Sequence, residues 1–149
     1  MAKKIIISFD YELFFGDEPG SVHKSIIEPT NQLLEALDSV GGKATFFVDY
    51  LMLKYMSVEN NQTRKEARLI TEQIKDIVRK GHRVELHIHP HWVDAKYING
   101  KWDFSDFSHY CLSSFLKDEI TKMFIEGTVM IESIAREVDP DYKVIAYRA

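Results

Sequence analysis

Cysteine is nearly missing from this chain. The single Cys111 among 149 residues can form no internal disulfide and has no second thiolate with which to build a cysteine-based zinc site, so any metal must be held by histidine and carboxylate. Long apolar runs are missing too. None comes near the ~18 residues needed to cross a bilayer. Met1-Ala2-Lys3-Lys4 leads into only three isoleucines before Ser8, too short for the apolar core of a signal peptide, so a cytoplasmic protein is expected. Nor is there an excess of positive charge. The net charge of -4, with lysines and arginines scattered, argues against nucleic acid or an anionic membrane as the main partner and favours a small or neutral ligand. What is present, 45% hydrophobic, 12% aromatic and 28% charged residues, suits one folded domain over 1–149 and excludes a disordered or collagen-like polymer. Histidine stands out, because three of the six lie within five residues, at His87, His89 and His91.

Lys4 to Phe9 is a short β-branched run that predicts a strand buried on both faces. After a Gly/Pro-rich loop over Gly16 to Gly20, Glu28-Pro29 opens a helix that Gly41-Gly42 stops. Ala44 to Val48 reads as the second strand. From about Asn60 a helix carries Ala67, Ile70, Ile74, Ile77 and Val78 on one face and ends at Gly81. A third strand covers Arg83 to His87. The aromatic-rich stretch from His91 to Tyr110 is too long for a plain connector and reads as a functional or lid-type loop. A long helix from Ser113 to Val138 ends at Asp139-Pro140, and Lys143 to Tyr147 makes a fourth strand. This alternation predicts an α/β fold with right-handed crossovers and a parallel sheet. It places Asp10, Glu12, Asp49, His87 to His91 and Arg148 at the C-terminal ends of strands, where α/β folds keep their functional groups. A fourth strand finishing two residues before the last one leaves an apolar edge with no covering helix. That reads as truncation on the C-terminal side, or as an edge that an oligomer covers.

In an extended segment His87, His89 and His91 share a face, and His87 can meet His91 in either an extended or a helical segment. Pro90 biases His89 away from helical geometry and leaves it facing substrate or supporting the ligands. Asp10 and Glu12 end an apolar strand, where an ionised carboxylate needs a cation or donors opposite it. A divalent metal held by two histidines and one carboxylate supplies that cation, and the other carboxylate is then a general base on its water. Glu85 and Asp94 are candidates to orient imidazole N–H groups, with plain exposure the alternative.

These residues resemble the polysaccharide deacetylase (NodB-homology) family, carbohydrate esterase family four. Ser8-Phe9-Asp10-Tyr11-Glu12 is similar to the family's first motif, Ala44-Thr45-Phe46-Phe47-Val48 to its second strand, Gly81-His82 with His87 and His91 to its second motif, and Tyr147-Arg148-Ala149 to the start of its third. Pro stands before His91 where the family has it after. The resemblance implies part of a distorted (β/α) barrel, with Asp10 as general base, Arg148 orienting it, and His87 and His91 as metal ligands. Glu12 is the third ligand, because Tyr11 occupies the position where many members carry a metal-binding Asp. His89, Trp92 and Tyr147 are expected against substrate. Trp92, Tyr97, Trp102 and Phe104 either stack on sugar rings or pack the loop down.

The implied activity is hydrolysis of an N-acetyl amide on a carbohydrate, a non-peptide carbon–nitrogen bond, with zinc as the expected metal and nickel or cobalt as substitutes. The family's general-acid histidine lies in later motifs that these residues lack, so this chain alone is expected to be inactive. Two other readings stay open: a metal-free relative acting on small cyclic amides, and a carbohydrate-binding domain without turnover. A resemblance to haloacid-dehalogenase phosphatases, through Asp10-x-Glu12, fails at Leu13 and gives the histidines no role.

Overall fold

The computed structural model describes residues 5–14 and 19–149. Lys4, the start of the predicted first strand, and positions 16–18 of the predicted loop lie outside them.

Four parallel strands form the main sheet: β1 (Ser8–Tyr11), β2 (Thr45–Asp49), β3 (Arg83–His87) and β6 (Tyr147–Arg148), hydrogen-bonded in that order. Each new strand adds on the same side of the last, so the sheet has no switch point and curls as a half-barrel with its helices outside. Arg148 on β6 bonds to Ser8 and Asp10 on β1 across two intervening strands. In a flat sheet that is about 14 Å, whereas an arginine side chain reaches roughly 7 Å from its bond lengths. Only a curled sheet closes the gap.

The register sorts side chains into two faces. Phe46 and Val84 share one convex row, and Tyr11, Val48 and Leu86 the next; all five are buried. The Tyr11 hydroxyl donates to Gln73 Oε1 on α3 (Asn61–Arg79) at 2.7 Å. Gly127 of α4 (Lys117–Ala135) sits so close to Leu86 and Tyr50 that an added Cβ would fall 2.5 Å and 2.8 Å from their side-chain atoms. The concave rows carry Ser8, Thr45 and Arg83, then Asp10, Phe47 and Glu85, then Asp49, His87 and Arg148.

α1 (Glu28–Ser39) follows a helical turn over Val22–Ile27 that Ser21 caps. Asn60 caps α3, and its side chain and that of Thr63 each accept a backbone N–H of the other. A helix that periodicity does not reveal, α2 (Tyr50–Val58), follows β2 directly, because Tyr50 to Leu53 and Met56 are all buried and leave no polar stripe to read. The predicted lid contains an antiparallel hairpin, β4 (Lys96–Ile98) and β5 (Lys101–Asp103). It turns through Asn99-Gly100, both at positive φ, and the Asn-Gly pair was its readable signal.

Besides one-residue shifts in the second strand and an earlier end of the last helix at Ala135, three predicted boundaries change for a visible reason. The first strand starts at Ser8, and Ile5 and Ile6 are 85% and 90% exposed rather than buried on both faces, because the partner strand β2 starts at Thr45 and Ile7 makes the last ladder bond before it. The last helix starts at Lys117, where Glu119 accepts the Leu116 N–H at 2.8 Å, and Leu116 is exposed rather than part of the apolar stripe. The fourth strand shrinks to Tyr147–Arg148. Side chains occupy the β3 edge upstream of it: the Tyr142 hydroxyl bonds both N–H and C=O of Val84, Glu85 accepts the N–H groups of Ile145 and Ala146, and Arg83 donates to the Lys143 carbonyl.

Among the described residues no helix is long and apolar enough to cross a membrane.

Candidate metal centre

Three donor atoms converge at the C-terminal ends of β1 and β3. Glu12 Oε2 lies 3.1 Å from His87 Nε2 and 2.7 Å from His89 Nδ1, and the ligand atoms of all three residues fall within 4.8 Å of one another, a spacing that can hold one metal ion. Strand alternation explains the pairing. His87 ends β3 and His89 is still extended (φ -110°, ψ 97°), so two residues on it returns to the same side, and the rings lie 4.3 Å apart. Pro90 then opens a 3-10 turn over Pro90–Val93. His91 falls within that turn, buried edge-on against Phe104, with its ring 5.2 Å from that of His89. The structure therefore groups His89, expected to face substrate, with Glu12 and His87; His91 stands one ring behind.

The donor chemistry fits a divalent ion. His87 Nδ1 lies 2.9 Å from the Arg148 carbonyl oxygen, which only accepts, so one ring proton sits on Nδ1 and Nε2, the nitrogen facing Glu12, is the one that can give up its proton to take a metal. Glu12 Oε2 and His87 Nε2 are both buried, and at ion-pair distance their angles make no hydrogen bond. Such orphaned atoms in convergence are what an ion would satisfy. Two imidazoles and one carboxylate with open positions are the donor set of catalytic zinc and of non-haem iron sites alike.

Electrostatics follows the same geometry. Burial works against the Glu12 carboxylate, yet the close His87 and His89 rings hold its pKa down at about 2. Burial likewise disfavours protonated His87, but Glu12 and the Arg148 carbonyl outweigh it and raise its pKa. Burial, with neighbouring His89, lowers His91 to about 4. Asp49, fully buried beside His87 at the end of β2, is pushed up to about 7 by its burial, against the pull of His89 and His87.

The other predicted residues divide between the two faces. Asp10 lies one concave row below the group, ion-paired with Arg148, whose guanidinium also stacks 4.3 Å over the Phe47 ring. Tyr11 is on the convex face and cannot take the place of a ligand. Tyr147 is 60% exposed and packs edge-on against Phe124, away from the donors. Trp92 is 1% exposed, with Trp102 and Phe104 each 4.8 Å from its ring; of the two roles open for these aromatics, packing is what the structure displays.

Neither of the two acids considered as candidates to orient the clustered imidazoles does so. Glu85 faces Arg83 and the backbone of residues 145–146, because its place in the concave row next to the short β6 offers it those donors instead. Asp94 does bond an imidazole, but that of His109, whose ring nitrogen and backbone N–H both meet its carboxylate and pin the loop. A cavity of about 430 Å³ opens beside the donors, with His89, His91, Tyr110 and Cys111 in its lining. Nothing in the local sequence around Tyr110 and Cys111 marks them for that position.

Comparison with known proteins finds no matching family model, no matching curated protein and no matching solved structure.

Proposed function

We propose that this chain carries the metal centre of a deacetylase-type amidohydrolase, one that hydrolyses an N-acetyl group on a carbohydrate. The observation that carries the reading is the convergence of Glu12, His87 and His89 at the strand ends, one row from an Asp10 held by Arg148. The uninterrupted strand order and the half-barrel curl support this reading, and so does the resemblance of the motifs to polysaccharide deacetylases.

A divalent ion there, zinc being the one the resemblance implies, would polarise the amide carbonyl and acidify a water molecule. Glu12, His87 and His89 would hold it, and the Arg148 main chain orients the His87 ring toward it. Asp10 takes the proton from the attacking water. The guanidinium of Arg148, bonded to Asp10, holds its carboxylate in place on the concave face, the positioning a base needs before reaction. The apolar-walled cavity beside His89 takes the acyl-bearing end of the substrate. The neighbouring His91, held neutral by its burial, offers a polar but uncharged wall.

One observation favours a second reading. Glu12 is already flanked by two imidazoles, so the group can balance its charge by protonating one of them, as a metal-free amidohydrolase would require. The test is metal content by mass spectrometry, wild type beside His87→Ala, after dialysis against zinc, nickel and cobalt in turn, followed by acetate release from N-acetylated sugars. Near-stoichiometric metal lost in the variant, together with acetate release, supports the metallohydrolase. A folded protein without metal favours the metal-free alternative, and metal with sugar binding but no acetate fits a binding domain as well as the inactivity expected of this chain alone.

A further inference from the structure

Asp49 has a carboxylate oxygen that the fold leaves without a partner. The residue ends β2, and the register sets it beside His87, in the concave row that Glu12 would join one step past the last β1 pair, Tyr11 with Val48. It is fully buried. Its Oδ1 accepts the N–H of Leu51 at 3.2 Å, capping α2, and lies 3.4 Å from the N–H of His89. Among the described residues its Oδ2, also buried, has no hydrogen-bond partner.

Helix capping accounts for Oδ1 alone, and an asparagine would cap as well. An aspartate there brings a charge into a fully buried place with, among the described residues, no lysine or arginine bonded to it, which is unfavourable unless a cation compensates. The groups that face it from the packed elements are His87 and His89 on the β3 side and Glu12 on the β1 side. Two neutral imidazoles and Glu12 carry a charge of minus one, so a divalent ion bound by them alone would leave a buried net positive charge. Adding Asp49 makes the set minus two. The same carboxylate holds the backbone N–H of one ligand, His89, and so fixes where that imidazole starts.

We propose that Asp49 is the positioning and charge-balancing carboxylate of this centre, completing a neutral site for a divalent cation without being one of its three convergent donors. The inference rests on the metal-binding reading of Glu12, His87 and His89.

The test compares wild type, Asp49→Asn and Asp49→Ala as full chains, stripped with chelator. Zinc and cobalt affinities are measured by competition with a chromophoric chelator, and thermal midpoints of the metal-free proteins are recorded beside them. Asp49→Asn keeps an oxygen for both N–H groups and removes only the charge. The expected result is metal affinity reduced 10- to 100-fold, with a metal-free midpoint equal to or above wild type; Asp49→Ala, which also loses the cap, falls in both. Asparagine binding metal within twofold of wild type overturns the proposal and leaves Asp49 a helix cap. So does an asparagine variant whose metal-free midpoint drops as far as alanine's, because the charge would then serve the fold itself. A folded wild type that binds neither metal overturns the reading of the three donors, and the role of Asp49 with it.

Discussion

The two faces of one four-stranded sheet obey different rules. On the convex face Phe46, Val48, Val84 and Leu86 are almost fully buried under helices, and the polar groups there are structural: Tyr11 on Gln73, and His82 whose Nδ1 accepts the Ala44 N–H at 3.2 Å. On the concave face charge meets charge in separate groups, Arg83 with Glu85, Arg148 with Asp10, and Glu12 with His87 and His89. The convex face is held by packing, which any well-fitting apolar set supplies. The concave face is held by particular functional groups. Stability and chemistry are thus separated by a single residue step along each strand.

The strongest test of that separation removes a donor. Glu12→Ala or His87→Ala should weaken metal binding by roughly 100-fold or more, beyond the loss typical of a supporting residue, while the metal-free midpoint moves little; chelator competition and a thermal melt measure the two. On the other face, Leu86→Ala should cost about 3 kcal/mol in a denaturant melt and leave the donors in place. Gly127→Ala alone should cost about 1–2 kcal/mol by overpacking, since its methyl would meet Leu86 and Tyr50. In the double variant the methyl partly fills the space that Leu86 vacates, so the sum of the single losses should exceed the double loss by about 1 kcal/mol.

pH should drive the faces in opposite directions. Burial lowers the pKa of His82, so its folded-state contribution is complete above the ordinary value near 6.5 and is lost as pH falls below it. Asp49 is raised from 3.8 to about 7, so the cost of its buried charge fades as pH falls through 7, and the metal-free protein gains stability there. Midpoints from pH 8 to 5 for metal-free His82→Gln should show less acid loss than wild type, and those for Asp49→Asn less acid gain. A shared slope in both variants would mean that other groups set the profile. The smallest effects belong to the linking charges. Arg148→Met breaks a pair that is more than a third exposed and should cost under about 1 kcal/mol in thermal melts.

Much of this division was readable in β3. Arg83-Val84-Glu85-Leu86-His87 alternates polar and apolar residues without exception, and one polar face next to a histidine cluster already points to the concave side. Asp10, Glu12, His87 and Arg148 were legible because strand ends collect function in parallel sheets. Which histidine joins Glu12 was not, because the choice between His89 and His91 depends on where extended backbone gives way to the Pro90 turn, a matter of one residue. The Ile5–Ile7 run misled in the other direction: local β preference cannot tell that no partner strand reaches that far. β6 is short for a reason spread over 58 to 61 residues of sequence separation, the bonds from Tyr142, Ile145 and Ala146 back to Val84 and Glu85, and no local pattern encodes it.

The acceptor that fixes the His87 proton is a main-chain carbonyl, that of residue 148. Substituting the side chain there can disarm Asp10, but it leaves the carbonyl where the β3 ladder puts it, since Ile88 N–H bonds the same oxygen at 3.0 Å. The two duties of position 148 are therefore heritable separately: one is open to mutation, and the other can be lost only by moving the strand.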